Sequence, residues 1–317
     1  MFSPVCYLSE SDIIMTSSTT PLRVGYVPEH FSTPIHYAKT HFGLDAVVVP
    51  YPSGTGHMIT ALRAGDIDVG IGLTEGWVAG LGKEEPGQGG YQIVGTYVET
   101  PLCWAISSGF DRTDIQSVAD LKGGKIGVSR IGSGSFVMGF VLADQQGWLT
   151  AADPADNKPF SETVILNTFE NLRKAVNSGA ADFFMWEHFT SKRYYDNQEI
   201  KRVGEIYTPW SSWKIVASTA VVGSPEKQEQ LKDLFAKLDQ GIAHFNANPE
   251  ESVKYISTEL DYSEEDAREW LKTVRFPANT SGVSLSTIEN CISILQKAGV
   301  LVKGKGAGAS AMITKER

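Results

Sequence analysis

Cysteine is scarce and unpatterned in this chain. Cys6, Cys103 and Cys291 form no Cys-x-x-Cys pair and leave one over, so neither a disulfide framework nor a zinc ribbon is indicated. Three reduced thiols suit a reducing compartment. No apolar run approaches the roughly 20 residues needed to cross a bilayer. Residues 1–20 contain no Lys or Arg, and Glu10 and Asp12 interrupt their apolar character. No secretory signal is therefore expected, and Cys6 lacks the upstream apolar run of a lipoprotein. These points predict a cytoplasmic protein with no membrane span. Positive charge is the minority, with 28 Lys and Arg against 37 Asp and Glu and a net charge of −9. Without a basic stripe, nucleic acid is not an expected partner. Catalytic signatures are missing as well: there is no HExxH, no GxSxG and no EF-hand loop. The stretch Gly299–Lys305 opens like a phosphate loop, but Gly306 stands where Ser or Thr should hold magnesium, and the stretch follows a helix. Gly132-Ser-Gly134 lacks the third glycine of a dinucleotide fingerprint. No cofactor and no metal is expected, and no residue is assigned a catalytic role.

What is present is a core-forming chain of 317 residues, 42% hydrophobic, long enough for two lobes. Short β-branched runs, apolar at nearly every position, alternate with glycine-rich loops and helices. Strands buried on both faces of a parallel sheet look like this. Leu22–Val27, Ala46–Tyr51 and Asp68–Gly72 are the first three strands. Lys125–Ser129, Val164–Asn167 and Asp182–Trp186 repeat the same order of strand, loop and helix. The expectation is an α/β fold of two lobes, each a mostly parallel sheet flanked by helices, with a cleft between them. The lobes are placed at 21–106 plus 217–302 and at 107–216, with hinges near 107–109 and 212–216. Ala220–Gly223 is read as the strand that rejoins the first lobe. Four helices from residue 228 to 298 are expected to cover the outer face of that lobe. Tails at 1–20 and 303–317 are expected to be loose, and Met15 is an alternative start.

In parallel sheets ligands bind off the carboxyl ends of the strands. That rule selects the loops at 28–34, 52–56 and 73–77 and their counterparts in the second half. The candidate ligand-binding residues are Glu29, His30, Phe31, Thr33, Ser53, Gly54, Thr55, Thr74, Glu75, Trp77, Arg130, Gly132, Ser133, Gly134, Ser135, Asn167, Trp186, Glu187 and His188. The loops Ser53–Gly56 and Gly132–Ser135 offer amides and hydroxyls at helix N-termini, which suit an anion or a polar oxygen. Ordinary helix capping explains them too. Aromatic rings at strand ends can sandwich a planar ligand. Trp77 and Trp186 are assigned to the ligand, whereas Trp104 and Trp213 are assigned to hinge or core packing. Glu29, Glu75 and Glu187 outnumber Arg130 and favour a ligand bearing N–H groups, such as an aminopyrimidine.

Three phrases carry a resemblance. Leu22-Arg-Val-Gly-Tyr-Val27, Ala61-Leu-Arg-Ala-Gly-Asp-Ile-Asp-Val-Gly70 and Asp120-Leu-Lys-Gly-Gly-Lys-Ile-Gly-Val-Ser129 resemble periplasmic-type solute-binding proteins. Within them the chain is similar to the sulfonate, nitrate and thiamine-pyrimidine branch and to its fungal intracellular offshoot, the NMT1/THI5-like group. The resemblance covers about residues 22–300. It implies a small-molecule binder that closes two lobes around its ligand, with an aminopyrimidine or thiamine precursor as the candidate. The alternatives it implies are a pyrimidine-synthesis enzyme or a transporter receptor for sulfonate or nitrate. The synthases' Cys-rich CCCFC motif is absent here, and His36 and Lys39 are nearby candidates for their Lys/His pair.

Overall fold

The structure is a computed structural model and describes residues 20–151 and 156–317. The expected N-terminal tail, Met15 and Cys6 lie outside the described residues, apart from residue 20. The chain enters β1 (Leu22–Tyr26), α1 (Thr33–His41), β2 (Ala46–Pro50), α2 (Thr55–Ala64), β3 (Val69–Leu73), α3 (Thr74–Gly82) and β4 (Tyr91–Val98). It crosses to β5 (Cys103–Gly109), β6 (Lys125–Val128), α4 (Gly134–Gln145), β7 (Glu162–Ile165), α5 (Phe169–Ser178), β8 (Phe183–Glu187), α6 (His188–Asp196) and β9 (Ile200–Tyr207). It returns through β10 (Trp213–Ser218) and α7 (Thr219–Val222) to α8 (Pro225–Ala247), α9 (Pro249–Glu259), α10 (Glu264–Leu271), α11 (Leu285–Lys297) and α12 (Ala309–Met312).

Two five-stranded sheets result, ordered β2-β1-β3-β10-β4 and β7-β6-β8-β5-β9. They share one plan. In each, three parallel strands come from consecutive βα units, and the fourth runs antiparallel and arrives from the crossover. The helix stops follow from glycine. Gly65 and Gly179 take left-handed φ values of 78° and 73° at the C-caps of α2 and α5, where a side chain would be strained.

Five expectations are corrected. The lobe boundary at 106/107 falls inside β5, whose first residues already pair with the second sheet. The break lies six residues earlier, at Thr100-Pro101, just before β5 begins at Cys103, because proline has no N–H to extend a ladder. The return boundary likewise falls inside β10, which belongs to the first sheet from Trp213 onward. The chain therefore crosses at 99–102 and 208–212, where Ser212 is tied to the Thr100 carbonyl through its amide at 3.2 Å and its hydroxyl at 2.8 Å. Residues 219–222 form a helical turn instead of a strand, because the Ser218 hydroxyl accepts the Val221 amide and caps it. The C-terminal residues are docked. Ile313 bridges to Ile93, Glu316 to Val283, and Met312 is fully buried. Finally, α8 packs on α1 as expected, but α10 also meets α6 and α11 also meets α4, so this helical layer reaches both lobes.

Candidate functional site

A cavity of about 80 Å³ opens between the lobes. From the first lobe it is lined by Val27, Glu29, Ser53, Gly54, Thr55, Leu73 and Gly76, and by Trp213 at the start of β10. From the second lobe come Trp104, Ser129, Arg130, Ser133, Gly134, Ser135, Trp186 and Glu187. Loops after parallel strands supply the polar members. The antiparallel strands supply two of the three indoles, Trp104 and Trp213, because an antiparallel strand begins at the edge where its parallel neighbours end; the third, Trp186, stands at the end of parallel β8. Trp213 stands opposite Leu73, the last residue of β3, and Trp104 opposite Glu187, the last residue of β8.

Serine chemistry shapes the second-lobe loop from within. The Ser133 hydroxyl donates to the Arg130 carbonyl at 2.7 Å and accepts the Phe136 amide at 3.3 Å. The Ser135 hydroxyl accepts the Ser129 amide at 3.1 Å. These bonds hold Arg130 at the rim of the N-terminus of α4 and aim it across the cleft. There its guanidinium lies flat against Gly56, in the first turn of α2, so closely that a Cβ on Gly56 would overlap it. The Arg130 guanidinium makes no hydrogen bond or ion pair with any described residue, and burial alone pulls its pKa down. A cation against the positive end of a helix, without an acid beside it, is an electrostatically incomplete arrangement. Gly56→Ala should fold normally, since the arginine head can move aside, yet displace the guanidinium and weaken ligand binding about tenfold or more, the worth of one charged hydrogen bond. Calorimetric titration beside a melting curve checks both halves.

The carboxyls are arranged differently. Glu75 is fully buried; it accepts the Trp210 indole N–H at 3.0 Å through one oxygen, while Oε1 has no partner. That free oxygen points at Gly134, where a Cβ would stand 3.0 Å from it and 2.7 Å from the Trp104 ring. Glu187 caps α6, accepting the Thr190 amide at 2.6 Å. The Nε2 of His30 stands 3.9 Å from it. Burial pushes the Glu29 carboxyl up to about 8, and the charge of Glu187 adds to the effect. Burial likewise pushes Glu75 and Glu187 up to about 7, with hydrogen bonds to each working the other way.

These shifts set a sign. A carboxyl that holds its proton to higher pH when folded contributes stability that is present at low pH. That contribution is lost as pH rises from its ordinary value near 4.5 through about 7. For Glu187 the span corresponds to about 3 kcal/mol. Melting curves between pH 5 and pH 8 should fall with pH, and Glu187→Gln should remove part of the slope. A wild-type slope that the variant fully retains would contradict the assignment.

The structure brings ten of the predicted residues together around the cavity: Glu29, Ser53, Gly54, Thr55, Arg130, Ser133, Gly134, Ser135, Trp186 and Glu187. Others stand elsewhere. Trp77 is in the first-lobe core, edge-on to Tyr91. Thr33 and Thr74 are fully buried and bond backbone carbonyls of His30 and Ser211. His30 is enclosed by Phe31, Tyr262 and Trp270. Phe31 and His188 line a neighbouring cavity of about 180 Å³. Glu75 lies just behind the lining. Gly132 faces Lys83, and Asn167 is exposed in a left-handed conformation of φ 64°. Lys39 donates to the Leu44 and Ala46 carbonyls, and His36 stacks on Tyr255, so neither lines the cavity. Val27, Pro52, Leu73, Gly76, Leu102, Trp104, Ser129 and Trp213 also line it and lie outside the predicted set.

Comparison with known proteins places this geometry. A family model described as Ca3427-like PBP matches residues 104–206. A solved structure described as the Candida albicans CA3427 gene product, defining a family with the generic periplasmic binding protein fold, is 38% identical. It aligns over 94% of this chain and 97% of its own, with a TM-score of 0.82. The alkanesulfonate-binding protein SsuA from Xanthomonas axonopodis pv. citri, bound to MOPS, is 15% identical and aligns over 94% of this chain and 99% of its own, with a TM-score of 0.74. The periplasmic nitrate-binding protein NrtA from Synechocystis PCC 6803 is 14% identical over 90% of this chain and 83% of its own, with a TM-score of 0.68. At such identity these last two share the fold. No curated protein sequence matches the chain.

Proposed function

Because the chain belongs to the Ca3427-like family of proteins with the periplasmic binding protein fold, we propose that it is a non-catalytic binder that closes its two lobes around a small solute bearing an anionic group. The observation that carries this reading is Arg130: buried for the most part, unpaired among the described residues, and pressed against the first turn of α2. An anion there would meet a guanidinium fork and helix N-terminal amides together. The unpartnered indole N–H groups of Trp104 and Trp213 would add donors to the same ligand. Neighbours named for sulfonate and nitrate binding are consistent with an anionic cargo.

The remaining wall favours more than a bare oxyanion. Trp186, backed by Phe169 at 5.0 Å in a stacked pair, offers a flat surface. Glu29 and Glu187 offer acceptors on the lining of the same cavity. A planar nitrogen heterocycle with exocyclic N–H groups and an anionic tail matches donors to acceptors; an aminopyrimidine of the thiamine-precursor type is the class proposed. A thermal-shift panel of alkanesulfonates, nitrate, aminopyrimidines, aminopyrimidine phosphates and thiamine tests it. A ligand at 100 times its Kd adds about 2.7 kcal/mol of stability. The reading expects the anionic aminopyrimidines to shift the melt most. A shift by simple sulfonates alone would remove the heterocycle, and a shift by uncharged heterocycles alone would remove the anion.

A further inference from the structure

On the outer side of the first lobe, three helices bring two imidazoles and a carboxylate together. His41 is the last residue of α1, His244 lies in the last turn of α8 and Glu251 in the first turn of α9. His41 Nε2 is 3.3 Å from Glu251 Oε1, and His244 Nε2 is 2.9 Å from Glu251 Oε2. The ligand atoms of the three residues lie within 4.8 Å of one another. Tetrahedral zinc, with bonds near 2.0–2.2 Å, holds such donors about 3.3 Å apart.

The hydrogen-bond network bears on what fills the gap. The Thr40 hydroxyl donates its single hydrogen to the His36 carbonyl at 2.9 Å. Its oxygen, 2.7 Å from His41 Nδ1, is therefore the acceptor, and Nδ1 carries the hydrogen. Nε2 is then left facing the lone pairs of Glu251, and either a proton or a metal ion must lie between them. A histidine whose other nitrogen donates to a neighbour is also how protein ligands are held toward a metal. The rings are braced as well: Tyr37 packs edge-on against His41 at 5.3 Å and against His244 at 4.7 Å.

We propose that His41, His244 and Glu251 form a binding site for a divalent transition ion of the zinc class, with water completing the coordination. The ion would pin the α8–α9 corner to the end of α1, away from the solute cleft. A second group, Cys103, His188 and Glu205, also falls within 4.8 Å. There Arg202 already donates to Glu205 at 2.9 Å and approaches His188 Nδ1 at 3.4 Å, so a cation occupies the position a metal would take.

Zinc chloride titrated calorimetrically into the chelator-stripped full chain tests the proposal. Wild type should take up one equivalent and melt at a higher temperature with zinc than without. His41→Ala and Glu251→Gln should each lose at least tenfold in affinity and lose the zinc-dependent rise, while Cys103→Ser binds as wild type does. Two different ligand substitutions guard against one variant failing to fold. No uptake by wild type, meaning that a proton alone fills the gap, overturns the proposal. So does uptake that survives both ligand variants or is lost with Cys103→Ser.

Discussion

Replacing Arg130 by alanine is expected to weaken solute binding by on the order of 100-fold, because two hydrogen bonds from a guanidinium to an anion contribute roughly 1.5–3 kcal/mol each and are partly offset by water. The same substitution should leave the ligand-free protein as stable as wild type, or more so. Arg130 has no acid partner among the described residues, and its burial disfavours the charge it carries. Arg130→Lys separates charge from geometry: a point charge without the planar fork should recover only part of the affinity. Titration calorimetry with the best compound from the panel, beside melting curves of the free proteins, measures both effects. Unchanged affinity in the alanine variant would mean that the guanidinium only packs against Gly56.

The largest effect on stability is expected from Trp77→Ala. Its ring fills the space left by two strand glycines: a Cβ on Gly70 or Gly72 would stand 2.8 Å and 3.0 Å from it. Tyr91 closes on it edge-on at 5.4 Å and donates its hydroxyl hydrogen to the Trp77 carbonyl at 2.9 Å. Emptying so enclosed a site typically costs about 3–5 kcal/mol. The urea midpoint should fall with little change in slope. Trp186→Ala should behave oppositely, since that ring is only half-buried and lines the cleft. Its loss should weaken binding with a much smaller effect on the urea midpoint. If Trp77→Ala lost binding while keeping its stability, the separation of core and cleft tryptophans would fail.

That pair of tryptophans shows what could be read from the sequence. The βα rhythm was legible because strands buried on both faces are apolar throughout and are followed by glycine-rich loops. The rule that ligands meet the carboxyl ends of parallel strands then located Ser53–Thr55, Arg130 and Ser133–Ser135. It gave no guidance for β5 and β10. These run antiparallel, so their first residues, not their last, reach the cleft, and from sequence alone Trp104 and Trp213 read as packing residues. The usable signal was Thr100-Pro101 just before β5 and Pro209 just before β10, which mark the crossings. Trp77 was misplaced for a different reason. It follows a strand end, but it lies within α3, and its helical phase turns it back onto β3. Nor could sequence spacing show that His41, His244 and Glu251 meet. Their proximity depends on how α8 packs against α1 and turns into α9.

In a crystal structure with the most stabilising compound of the panel, density is expected between the lobes, with the anionic group in hydrogen-bond contact with Arg130 and the first-turn amides of α2. Density for that compound elsewhere on the protein, or an anionic group turned toward Glu29 and Glu187 instead, would contradict this binding mode.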